Sequence, residues 1–122
     1  MHEDHEQLDQ ELARLAQSLT SGDLIVACLQ LAEFAVKLDR YIRREERTMS
    51  LPDRLAEGPR AYSAVQREHT SLRELVSSIA SALDRADDRR GLEMVSKLRS
   101  VLLLHVTKEE LLLTGPTSPT IH

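Results

Sequence analysis

The sequence has no tryptophan and almost no aromatic residues; Phe34, Tyr41 and Tyr62 are the whole set. Its core must therefore be built from Leu, Ile, Val and Ala, and a tyrosine on a core face needs another reason to be there. Cys28 is the only cysteine, which excludes an intrachain disulfide. No apolar run approaches the roughly 20 residues that span a bilayer. The start, Met-His-Glu-Asp-His, is acidic and polar rather than basic and then apolar, so no secretory signal is expected and a cytoplasmic setting fits. There is no long basic run and the net charge is −4, so neither nucleic acid nor an anionic membrane is expected as a partner. No glycine-rich phosphate loop appears, and the Ser, His and Asp spacings form no nucleophilic triad.

What remains is helical. The 122 residues are 41% apolar and 30% charged, an ordinary composition for one domain with one core. A first stripe runs His5, Leu8, Leu12, Leu15, Ala16, Leu19 at helical spacing. Thr20 to Asp23 breaks it: Gly22 suits a left-handed C-terminal cap, and Ser21 or Asp23 can cap the next helix. A second segment, from about Asp23 to about Met49, carries Ala27, Leu31, Phe34, Leu38, Tyr41 and Glu45 on one face. Leu51-Pro52 ends it, a linker reaches Pro59, and that proline is placed to open a third helix from about Arg60 to Arg85. The third stripe is Tyr62, Val65, His69, Leu72, Val76, Ile79, Ala80, Leu83. Asp84 to Gly91 reads as a turn, and a fourth helix spans about Leu92 to Leu113, stopped by Gly115-Pro116. No period-2 alternation stands out. The expectation is an all-α, up-down-up-down antiparallel four-helix bundle over residues 1–116, with 117–122 as a flexible tail.

A shift of 64 residues carries His5 onto His69, Tyr41 onto His105, Glu45 onto Glu109, Glu46 onto Glu110 and Pro52 onto Pro116. It also pairs Leu8 with Leu72, Leu12 with Val76, Leu15 with Ile79, Leu19 with Leu83, Leu38 with Leu102 and Ile42 with Val106, without a gap. The chain reads as two copies of one helical hairpin. Core packing predicts shared apolar positions, but not that His, Glu and Pro keep the same shift.

Four inward stripes would gather His5, Tyr41, Glu45, His69, His105 and Glu109 on the bundle axis. Buried carboxylates are costly unless paired, hydrogen-bonded or bound to metal, and no Lys or Arg shares these stripes. A metal centre accounts for them. Carboxylates can bridge two cations while imidazoles fill terminal positions, and nitrogen and oxygen donors without thiolate suit iron or manganese, and also zinc. Ferritin-like di-iron bundles use Glu-x-x-His; the order here is reversed and the spacing is four, which rules that pattern out as a close match.

The order His5, Tyr41-x-x-x-Glu45, His69, His105-x-x-x-Glu109 resembles the signature of the hemerythrin-like (HHE cation-binding) family, in a small bacterial-type form. The resemblance covers about Met1 to Pro116, including Glu3-Asp4-His5, Glu68-His69, and His105-x-x-x-Glu109-Glu110 followed by a proline. It implies a four-helix bundle with a non-haem di-iron centre that binds, senses or reacts with oxygen, peroxide or nitric oxide. Zinc and manganese rank behind iron, and whether such a protein is an enzyme stays open. His5, His69 and His105 match the family's histidines, and Glu45 and Glu109 its bridging carboxylates. Tyr41 departs from the pattern, which expects His. Three readings stay open there: a phenolate ligand to iron, a bystander beside a site short of one ligand, or the mark of a decayed site. The competing function is a metal-free or zinc-bound bundle acting as an interaction module.

The implied partner is a small diatomic or peroxide ligand, with a homodimer left open. His2 is an alternative to His5. Glu46 and Glu110, about 100° around from their neighbours, are expected to face solvent or pair with Arg. Tyr62 is expected to fill core space, and Cys28, between Ala27 and Leu29, to be a buried small apolar residue.

Overall fold

A computed structural model describes the backbone of residues 2–49 and 59–114 and the side chains of 4–48 and 63–107. Four helices follow one another: α1 (His2–Thr20), α2 (Leu24–Met49), α3 (Pro59–Asp84) and α4 (Asp88–Thr114). Each packs against two neighbours, α1 on α2 and α4, and α3 on α2 and α4, which closes a four-helix bundle. The cross-helix pairs give the directions. Asp4–Arg44, Glu11–Lys37 and Ser18–Gln30 link α1 to α2, rising in one helix as they fall in the other. Glu46–His69 and Asp39–Arg73 do the same between α2 and α3, and Asp9–Arg99 and Leu19–Gly91 between α1 and α4. Among the described residues no helix is long and apolar enough to cross a membrane. Tyr62, the linker after Met49 and the tail 117–122 lie outside the described side chains.

The stripes become the core. Leu8, Leu12, Leu15 and Leu19 of α1 meet Leu31, Phe34, Leu38 and Ile42 of α2, Leu72 and Ile79 of α3, and Val95, Leu98 and Leu102 of α4. Each such side chain removed from water stabilises the fold by about 1.5–3 kcal/mol. This apolar fill occupies the middle of the bundle and the end nearest the two hairpin turns. The opposite end, where α1 and α3 begin and α2 and α4 finish, holds Tyr41, Glu45, His69 and His105, all buried.

The two turns are built alike. After α1, the Asp23 N–H donates to the Ser18 carbonyl (2.9 Å) and the Gly22 N–H to that of Leu19 (3.1 Å), with Gly22 left-handed at φ 77°. This is a Schellman cap. After α3, Asp87 donates to Ala82 (2.8 Å) and Ala86 to Leu83 (3.0 Å), with Ala86 left-handed at φ 55°. Asp23 Oδ1 then accepts from the Val26 N–H (3.2 Å) and Asp87 Oδ1 from the Arg90 N–H (3.0 Å), each capping the next helix.

Two expectations need correction. The second turn is shorter than the stretch Asp84 to Gly91, and α4 begins at Asp88. Gly91 is helical, and a Cβ there would lie 3.4 Å from the Leu19 side chain; its small size lets α4 lie close to α1. Cys28 is exposed. It lies one residue, and so about 100°, beyond the buried Ala27, on the outer face with Ile25 and Leu29.

Candidate metal centre

Helical register does most of the assembly. Tyr41 and Glu45 are one turn apart on α2, so both project into the bundle from one face, and the Tyr41 hydroxyl donates to Glu45 Oε2 at 2.7 Å. His69 on α3 and His105 on α4 reach the same carboxylate from the far side. Their Nε2 atoms lie 2.5 Å and 2.8 Å from Glu45 Oε1. His5 on α1 completes the circle, with Nε2 2.8 Å from the Tyr41 oxygen. The rings meet edge to face, His5 on Tyr41 at 5.0 Å and His69 on His105 at 5.1 Å between centroids. Five of the six residues singled out from sequence thus form one hydrogen-bonded cluster, with Glu45, His69 and His105 gathered at its centre and His5 joined to them through Tyr41. The side chain of Glu109 lies outside the described residues, as does that of His2.

Burial is close to complete for His69 and His105, at 0% and 1% relative exposure, and for Glu45 at 4%. Desolvation alone would push the Glu45 carboxyl up; its bonds with His105, His69 and Tyr41 outweigh that and hold its pKa at about 2. Burial, then the charge and the bond of Glu45, keep the Tyr41 hydroxyl protonated far above its ordinary range. Burial also opposes a charge on His105, but Glu45 and Glu68 prevail and its pKa is raised. At His5 desolvation wins and the pKa is lowered.

The outer nitrogens of the two buried imidazoles are held as well. His69 Nδ1 lies 2.9 Å from Glu46 Oε2, and His105 Nδ1 lies 3.1 Å from Glu68 Oε1. Glu46 was expected to face solvent or pair with Arg; it sits against His69 instead, because a position 100° around from Glu45 turns toward the neighbouring helix as readily as toward water. Glu68 carried no role in the sequence reading beyond its place in the Glu-His phrase. Both could have been found there: the 64-residue shift pairs Asp4 with Glu68 and Glu46 with Glu110, so an acid adjoins a candidate ligand on each of the four helices.

The donor chemistry fits a cation. One oxygen of Glu45 and one nitrogen each of His69 and His105 lie within 4.8 Å of one another, all three residues buried. The far nitrogen of each histidine rests on a carboxylate, the arrangement metal-binding histidines usually show. A cavity of about 620 Å³ between α1 and α4, lined by His5, Asp9, Arg99, Leu103, Val106 and Thr107, reaches this end of the bundle.

A model of the hemerythrin HHE cation binding domain matches residues 1–115. No curated protein and no solved structure gives a significant match.

Proposed function

The chain belongs to the hemerythrin HHE cation-binding family, and on that premise we propose that this end of the bundle holds non-haem iron, as a di-iron centre serving oxygen, peroxide or nitric oxide. The residues that would hold it are His5, Tyr41, Glu45, His69, His105 and Glu109, the last on its sequence register alone. Bound iron supplies open coordination for such a ligand and the electrons to react with it. The observation that carries the reading is that two buried imidazole nitrogens and a tyrosine hydroxyl converge on one buried carboxylate, with apolar packing on its inner side.

The chain's own residues divide the work. Glu45, held ionised, offers an anion at neutral pH without first losing a proton. His69 and His105 face it with Nε2. Tyr41 donates its hydrogen to Glu45 and accepts near His5, so as a phenolate ligand it would first release that proton to solvent, a loss that the charge of a bound cation favours. His5 lines the cavity between α1 and α4, which gives a small uncharged ligand an approach. Carriage, sensing and turnover can share one donor set, so the reading stops at the class, in a cytoplasmic setting.

The test is elemental analysis after expression in iron-rich medium, with absorption spectra recorded before and after dithionite. Iron at a di-iron stoichiometry, with absorption bleached on reduction, is the expected result. Colourless protein without iron overturns it in favour of a zinc-bound or metal-free interaction module. A visible phenolate-to-iron band lost in Tyr41→Phe would assign the phenolate; an iron-loaded protein whose spectrum is unchanged by that substitution makes Tyr41 a bystander.

A further inference from the structure

We propose that Glu46 and Glu68 are positioning residues, each accepting the Nδ1–H of one buried histidine so that its Nε2 is turned to the centre. The inference rests on the metal-site reading above for its purpose, but on geometry for its substance. An imidazole in the neutral state carries one hydrogen, on either nitrogen, and only the bare nitrogen can bind a cation. A carboxylate at Nδ1 keeps a hydrogen there, so that Nε2, which bonds Glu45 in the metal-free chain, is the nitrogen a cation would take over. Glu46 does this to His69 at 2.9 Å and Glu68 does it to His105 at 3.1 Å.

The two contacts are separate instances of one device. Glu46 follows the α2 residue Glu45 and reaches α3, whereas Glu68 precedes the α3 residue His69 and reaches α4. The 64-residue shift relates Glu46 to Glu110 and Glu68 to Asp4, not to one another, so duplication does not explain why both hold histidines. Exposure points the same way. The Glu46 and Glu68 side chains are 26% and 25% exposed, while their histidines are 0% and 1% exposed. Each acid closes the rim behind its ring and keeps access to water, so its charge stays solvated while it fixes a buried group.

The test compares wild type with Glu46→Ala, Glu68→Ala, the conservative Glu46→Gln, and Glu33→Gln, which removes a charge from the outside of α2. Titration with zinc, a diamagnetic probe, reads affinity; nitrogen-15 shifts of the His69 and His105 rings in metal-free protein read where the hydrogen sits. Each alanine variant is expected to lose about 10–100-fold in zinc affinity, to move its own histidine's Nδ1 to the shift of a bare nitrogen, and to keep wild-type helicity. Glu46→Gln, whose amide oxygen can still accept, should recover part of the affinity, and Glu33→Gln should match wild type. Alanine variants with wild-type affinity and unmoved ring shifts overturn the inference while leaving the metal site standing. Wild type that binds no metal sinks the metal-site reading, and the ring shifts still decide whether the two glutamates set the tautomers.

Discussion

The first hairpin, α1 with α2, and the second, α3 with α4, are one pattern written twice, and they differ where chemistry matters. The second supplies two imidazoles, His69 and His105, the latter backed by Glu68 of its own hairpin at 3.1 Å. The first supplies His5, Glu45 and, where His105 has its counterpart, Tyr41. A phenol has no second polar atom to turn outward. Asp4, which stands where Glu68 stands in the other copy, bonds instead to Arg44 at 3.1 Å. The change at Tyr41 therefore alters two positions: the inner donor becomes a hydroxyl that bridges Glu45 and His5, and the acid at the rim takes a surface partner. The apolar positions differ too. Leu12 of the first copy is wholly buried, whereas its counterpart Val76 is only partly so.

That last contrast gives the largest expected effect. Leu12→Ala should destabilise metal-free protein by about 2–5 kcal/mol, because the transfer free energy is lost and a cavity remains. Val76→Ala removes less, from a site water already touches, and should cost about 1 kcal/mol. Chemical denaturation of both variants measures the difference. Equal costs would mean that the two copies pack with equal depth after all.

Next in size is the response to metal. An ion at 100 times its dissociation constant raises stability by about 2.7 kcal/mol when only the folded state binds it. His105→Ala should abolish that gain, so that adding ferrous iron anaerobically leaves Tm unchanged. Tyr41→Phe, the matching change in the other copy, separates the readings of the tyrosine: a bystander keeps the gain, a ligand loses much of it. A His105→Ala protein as strongly stabilised by iron as wild type would remove that residue from the site.

Tyr41→Phe has a smaller effect without metal. Its hydroxyl bonds Glu45 Oε2 at 2.7 Å and His5 Nε2 at 2.8 Å, inside the bundle. Removing one member of a buried hydrogen-bonded set typically costs about 1–3 kcal/mol, and denaturation of the metal-free variant should fall in that range. A loss near zero would show that water replaces the hydroxyl and that the first copy is the looser one.

Much of this comparison is legible in the sequence, for a physical reason: a helical stripe and a gapless repeat both survive in one dimension. Leu8, Leu12, Leu15 and Leu19 declare the inner face of α1, and the offset that carries them onto α3 also carries His5 onto His69, marking a polar residue in each stripe. What the stripe cannot show is the neighbouring helix. The partner of Glu46 is His69, set by how α2 and α3 cross, so spacing along α2 alone leaves it facing water. Cys28 fails for the converse reason, since apolar neighbours in sequence point in different directions on a helix. The second turn is shorter than the stretch Asp84 to Gly91 because Gly91 is a helical contact with Leu19 rather than part of the turn, and the 64-residue shift, which carries Gly22 to Ala86 and Asp23 to Asp87, marks the true place of the turn.

Those two turns carry the smallest effect and the most symmetrical test. Gly22 and Ala86 occupy equivalent places in equivalent caps, both left-handed, at φ 77° and φ 55°. A side chain in that region strains the backbone by roughly 1–2 kcal/mol, partly offset because alanine restricts the unfolded chain by about 0.4–1 kcal/mol relative to glycine. A Cβ at Gly22 would meet nothing within 4 Å, so Gly22→Ala isolates the backbone cost and should lose about 0.5–1 kcal/mol. Ala86→Gly relieves the same strain and should gain about as much, moving Tm up by a few degrees while Gly22→Ala moves it down. The double variant, which exchanges the two residues between the turns, should then sit close to wild type, because a Cβ at Gly22 touches nothing within 4 Å and the two backbone effects share no side-chain partner there. Shifts in the same direction for both single variants would break the equivalence of the turns, and would leave the second hairpin closed by something other than the cap it shares with the first.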